Sequence, residues 1–360
     1  MKYFLSGVCS FFLVFGSSAQ NVVPFKDFNG FFKSYQNGFF RQVEFQPIRE
    51  FKAGDDIVAY INYRGNLTVF DGTKPKEISN VQVDYQVSDH LMTWKIGPTL
   101  NLWDAGELKT LTYFADQYIL RDSIVVFNDT RFNSVHAYYD GDIYELYKSS
   151  GIVTMPDMVG ENIVAFRDNG NYNKVFWNGQ IYDLDVWHDR YIYSAGTDII
   201  AFNDPINGTF AIFENGQFLD VEDFRMNSYK AGRGFVVYEN VNNDLMIYKD
   251  GATEKLTNFG ADFYNVKDDV VIWTENGFTY GYANGKKFEL AKYIVKDFQL
   301  KNNVIAFKNI VGGVDALIEG KLKTLTTLMN VKFTIHGNAV LLESFNKTFS
   351  LFIEGREYRN

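Results

Sequence analysis

Cysteine is almost missing from this chain of 360 residues, and the one present, Cys9, lies in a stretch that reads as removable. A mature chain without it has no disulfide and no cysteine nucleophile, so a large buried core must supply the stability. Clusters of positive charge are missing too. With 35 Lys and Arg against 44 Asp and Glu the formal charge is −9, which argues against nucleic acid and against an anionic membrane surface as partners. Histidines are few: His90, His136, His188 and His336 fall at no H-E-x-x-H or H-x-H spacing, and they read as structural side chains rather than zinc ligands. No G-x-S-x-G elbow, phosphate-binding glycine loop, S-x-D-x-G-x-T-W box or Gly-Gly kelch signature occurs, so no pattern of nucleophilic catalysis is present. Segments with helical periodicity are absent as well, and with them any second domain.

The first residues read as a secretory signal peptide over 1–19. Lys2 gives the positive start, Phe4 to Phe15 the apolar run, and Ser17-Ser18-Ala19 a small-residue cleavage site before Gln20. The run is too short to span a bilayer, which takes about 20 apolar residues, and no other long one follows. Lipidation at Cys9 is disfavoured by Val8, where a small residue is required, and by the apolar run continuing past it. Loss of Lys2 with the peptide takes the charge from −9 to −10. The expected destination is outside the cell or the periplasm. There Asn66, Asn128, Asn207 and Asn346, each in an N-x-Thr sequon, matter only in a host that glycosylates.

What the chain does have is one repeated turn. Gly38, Gly72, Gly106, Gly141, Gly179, Gly216, Gly251, Gly285, Gly320 and Gly355 follow one another at spacings of 34, 34, 35, 38, 37, 35, 34, 35 and 35 residues. Five positions on stands an apolar residue, as at Val43, Leu111, Leu146, Leu184, Val221, Leu256, Leu290 and Leu325, with a slip of one to Ile78 in the second unit. Asp-Gly and Asn-Gly pairs of this kind close two-residue hairpins, because both positions accept positive φ. Four short apolar runs surround each turn, and we label them strands a to d. Strand b is the most apolar, as in "SIVVF" at Ser123, "NIVAF" at Asn162 and "DIIAF" at Asp198, which predicts a strand covered on both faces. Strand c ends at the turn, and strand d is short and polar, as suits an outer edge.

A repeat near 35 residues whose unit is a four-stranded meander predicts an all-β fold, a single β-propeller. The order of strand, polar turn, (I/V)AF, polar loop, VF-x-(D/N)-G and x-L resembles the repeats of TolB-type propellers within the WD-like superfamily, over nearly the whole mature chain. That resemblance implies a platform for partners, an enzyme cap or a sensor. In place of the family's Ser-Pro-Asp-Gly turn before strand b stand Ser88-Asp89, Arg121-Asp122, Gly160-Glu161, Gly196-Thr197 and Lys267-Asp268. Nine a–b pairs against ten c–d turns predict about nine blades, with eight or ten as alternatives. Residues 20–30 are expected to form an arm, residues 31–360 the propeller, and Phe39 to Phe45 to close the last sheet.

In such a ring the b–c loops and the d–a connections share one rim. The candidate binding residues are those at the b–c loops: Asn128, Asp129, Arg131, Phe132, Arg167, Asp168, Tyr172, Asn203, Asp204 and Glu239. An exposed aromatic beside an arginine is a composition enriched where proteins bind each other. Single Asp residues at loop starts are also what turn chemistry favours. The leading expectation is a non-catalytic module that binds a protein partner or an envelope component, without cofactor. A glycan hydrolase or lyase with carboxylates in the central funnel and a calcium-stabilised scaffold are the alternatives.

Overall fold

A computed structural model describes residues 22–360 apart from 37, 82, 152, 157 and 188–192, and omits the side chains of 185–187. The expected signal peptide and His188 lie outside these residues. Every regular element described is a strand. The strands form ten separate antiparallel meanders, nine of four strands and one of three. The first sheet comprises Val23–Lys26, Phe31–Gln36 and Phe39–Pro47. The others span 50–79, 84–112, 118–148, 158–187, 193–222, 229–255, 263–291, 298–326 and 332–359.

The local chemistry follows the repeat. All ten turn glycines have positive φ, and at eight turns the preceding residue, such as Asn215 or Asp250, has φ near +50° as well. Asp71 lacks it, and its unit is the one that slips by one. In the fourth blade strand b, Ile124–Asp129, is buried at every position, whereas strand d of the seventh blade, Ala252–Lys255, is exposed at every position. Strand a therefore lines the axis and strand d the perimeter.

Ten apolar clusters fill the ten gaps between neighbouring blades. Trp103 belongs to the gap between the second and third. The ring closes where Val23, Phe25 and Tyr35 of the first blade meet Ala339, Leu341, Phe349 and Leu351 of the last. Phe25 and Phe349 lie 4.4 Å apart between ring centroids.

Three expectations are corrected. The single all-β propeller stands, but its blades number ten, one of the two alternatives to about nine, because the first sheet contributes its b, c and d strands without an inner strand among the described residues, so counting a–b pairs misses it. Residues 23–26 are not an arm but strand b of that sheet, paired Val23 to Tyr35 and Lys26 to Phe32. Phe39–Pro47 does not complete the last sheet: it pairs with Phe31–Gln36, and the last sheet has its own outer strand, Arg356–Arg359.

Candidate functional site

The meander puts the b–c loops and d–a connections on one rim and the a–b and c–d turns on the other, and the two rims differ in character. On the first, large apolar side chains stand out from the loop tips. Phe28, Ile310 and Phe345 in b–c loops are 83%, 77% and 92% exposed, and Phe259 in a d–a connection is 78% exposed. Phe132 and Tyr172, singled out from sequence, belong to the same circle, as do Ile206, Phe224 and Met329. On the opposite rim no large exposed apolar side chain occupies an a–b or c–d turn among the described residues. Those exposed near it, including Leu108, Ile143, Ile181 and Leu322, lie on outer d strands.

The other residues predicted from sequence hold these loops in shape. Asp129 accepts the amides of Arg131 and Phe132 on Oδ1 and the Thr112 hydroxyl on Oδ2. Asp168 accepts the amides of Gly170 and Tyr172, and Asp204 those of Ile206 and Asn207. Asp27, Asn62, Asn240 and Asn309 repeat the arrangement in other blades. Asn128 accepts the amides of Asp116 and Gln117, which ties the end of its b strand to the preceding d–a connection, and Asn203 exchanges two bonds with Met226 in the following one. Glu239 is half-buried, its amide donating to Ser228 O. Arg167 lines a polar pocket of about 150 Å³ with Tyr147, Ser149 and Asp168. The Arg131 guanidinium lies over the rings of Phe114 and Phe132, at 5.5 and 5.2 Å. Asp129, Asp168 and Asp204 thus sit on three successive blades, each occupied by its own loop.

A second group, not picked out from sequence, surrounds the axis at the opposite mouth. The a–b turns there are joined by amides that reach the next blade: Glu161 N to Gly196 O at 3.0 Å, Thr197 N to Gly232 O at 3.1 Å and Arg233 N to Asp268 O at 2.7 Å. Glycine permits this approach. A Cβ on Gly196 would lie 1.9 Å from Gly232 O.

Two lysines run across the bore as chords. Lys301 of the ninth blade places Nζ 2.6 Å from Asp55 Oδ1 of the second and 2.6 Å from Asp89 Oδ1 of the third. Lys267 of the eighth reaches Glu161 Oε1 of the fifth at 2.8 Å and Asp268 Oδ1 at 3.3 Å. Burial opposes ionisation of Asp55 and Glu161, yet Lys301 and Lys267 hold both carboxyls below the usual range. Burial and the neighbouring Asp55 carboxylate raise Asp89 despite Lys301.

Asp122 of the fourth blade has no ion pair among the described residues. Burial, then Glu161 and Asp89, push it up to about 7. With Asp56, His90 and Arg233, these groups line a cavity of about 600 Å³. His90 is raised by its 2.6 Å bond to Asp56, while desolvation pushes half-buried His336 down to about 4. His136 is elsewhere, stacked on Phe127. No group of three or more His, Asp or Glu side chains able to hold a metal ion occurs among the described residues.

The signal for this site was present in the sequence as a register. Asp55, Asp89, Asp122, Glu161, Arg233 and Asp268 hold equivalent positions in their repeats, four of them in the turns noted above as departing from the TolB-type pattern.

Residues 16–358 match the family described as a 10-bladed beta propeller domain, and the chain belongs to that family. A search of curated proteins finds no match. Among solved structures, the chain is similar to the computationally designed Ika8 protein at 14% identity, covering 92% of this chain and 99% of that one with a TM-score of 0.37. It is similar to the CRINKLY WD40 ectodomain of the Arabidopsis thaliana receptor kinase ACR4 at 9% identity, covering 73% and 89%, with a TM-score of 0.31. Prp20p from Saccharomyces cerevisiae, with 11% identity and coverage of 64% and 84%, gives a TM-score of 0.30.

Proposed function

We propose that this ten-bladed propeller is an exported, non-catalytic module that binds a protein partner or envelope component through its b–c and d–a rim. The observation that carries the reading is the asymmetry of the two rims: large apolar tips on one, glycine and polar turns on the other. Apolar tips exposed in number on one face of a soluble ring are costly unless something covers them, and rigidly held loops are where binding resides. The loop carboxylates support the reading because they are committed to backbone amides. Export rests on the composition of the first 19 residues.

The test is cross-linked capture from the native envelope and medium by tagged protein starting at Gln20. A control carries serine at Phe28, Phe132, Phe259 and Phe345, all exposed, so the ring should remain folded. Loss of a reproducible partner in the control is the expected result. Equal capture by both proteins would remove the rim from consideration.

Asp122 favours a second reading, glycan hydrolysis in the channel mouth. A carboxyl near neutral pKa beside the ionised Glu161 has the protonation asymmetry of an acid and base pair. It predicts turnover of a polysaccharide or chromogenic glycoside that Asp122→Asn abolishes. Absence of turnover across a broad glycan panel rejects it.

A further inference from the structure

The rim is not uniform around its circumference. Along the arc from the connection into the ninth blade, through the tenth and first blades to the second, the exposed cations are Lys292, Lys296, Lys332, Lys347, Arg49 and Arg64. The exposed anions there are Asp297 and Glu50, and of the half-buried ones Glu343 pairs with Lys347 and Asp27 with Lys33. On the rim of the third to eighth blades the excess of cations is lost: Asp84, Asp116, Asp223 and Asp262 are exposed against Arg131, Lys148 and Arg225. Half-buried Asp204, Glu222 and Glu239 add negative charge there, while Asp168 and Asp244 are paired with Lys174 and Lys255. The cationic arc also holds the two most projecting loop tips, Phe345 and Phe28, at 92% and 83% exposure, with Ile310, Met329 and Leu328 beside them, while Phe259, at 78%, stands alone among the tips of the other sector above 65%.

We propose that this arc is the docking site for a protein segment that is both apolar and acidic. The inference rests on the rim reading above and names the chemistry of the partner. Apolar tips supply the area, and the flanking ammonium and guanidinium groups select a segment whose hydrophobic residues are bordered by Asp or Glu. A chain with formal charge −9 repels acidic partners everywhere except along such an arc. A flat anionic bilayer fits less well. Laid against the rim it would meet the acidic sector and the cationic one together, whereas a segment engages one sector alone.

The test is selection of a displayed random peptide library on the full mature chain. We expect the selected peptides to combine Asp or Glu with Leu, Ile or Phe. A synthetic copy of the leading peptide should bind Lys292→Glu/Lys296→Glu/Lys332→Glu at least about 10-fold more weakly, and weaken with salt. Leu328→Ser/Phe345→Ser should lose a similar factor, while Phe132→Ser in the acidic sector should change little. Circular dichroism and thermal melting confirm that each variant is folded.

Basic or uncharged selected peptides, or affinity unmoved by the charge reversals, would overturn the proposal. Two other outcomes overturn it in favour of a different occupant. One is binding to phosphatidylcholine vesicles with about one third phosphatidylglycerol that the reversals abolish. The other is dimerisation in sedimentation experiments that the same reversals abolish, which would make the occupant a second copy. A selection that fails while rim-dependent capture succeeds rejects only the acidic chemistry. Failure of both rejects the rim as the binding face.

Discussion

Near pH 7 the carboxyl of Asp122 is divided between its two forms, and the sign of its effect on stability follows. Its native pKa of about 7 lies above the unfolded value, so the folded ring binds the proton more tightly. The contribution is complete below about pH 4 and is lost as pH rises towards 7. Above that, folding confines a charge near Glu161 and Asp89. Asp122→Asn should stabilise the ring by about 2 kcal/mol at pH 8 and by little at pH 4, measured by urea unfolding at both values. A constant difference between the two would show that the effect is packing rather than ionisation.

Within a blade the a–b turn is the tightest element, and its glycines set the distance to the neighbour. Gly196→Ala should cost more than about 2 kcal/mol, because the new methyl meets the Gly232 carbonyl and that backbone is fixed by its own hydrogen bonds. Gly151→Ala, with nothing within 4 Å, should leave the melting temperature unchanged. Elements of this kind were open to sequence reasoning where their chemistry is local. The hairpin glycines, the continuous apolar b strands and the loop Asp residues each announce a conformation within a few positions of themselves. The blade count was less open, because Val23–Lys26 is strand b of a sheet without a described a strand, and "VPFK" carries little of the pattern seen at Ile124 or Ile163. The channel group was least open of all. Lys301 and Asp89 are 212 residues apart, and nothing local to either indicates that the curvature of the ring brings them together.

For the whole ring, the two chords bind blades that share no interface. Lys301→Met should destabilise the protein by about 3–5 kcal/mol at neutral pH, since it leaves the buried carboxylates of Asp55 and Asp89 without their cation. The loss should shrink towards pH 4 as those carboxyls accept protons, which urea midpoints at the two pH values would check. Equal loss at both would assign the effect to the aliphatic stem.

Closure by the faces of the first and last blades, with no strand exchanged among the described residues, has a consequence for how the chain folds. Every sheet is made from residues close in sequence, so each can form as soon as its own segment is available, in the order of synthesis. The meeting of the first blade with the last, with Phe25 on Phe349 at its heart, needs both ends of the chain and so comes last. An incomplete chain is therefore an open arc with an apolar blade face at each end. Ring closure should appear in refolding as a separate late phase, slowed by Phe25→Ala and left alone by an equivalent truncation in a middle blade, such as Phe202→Ala.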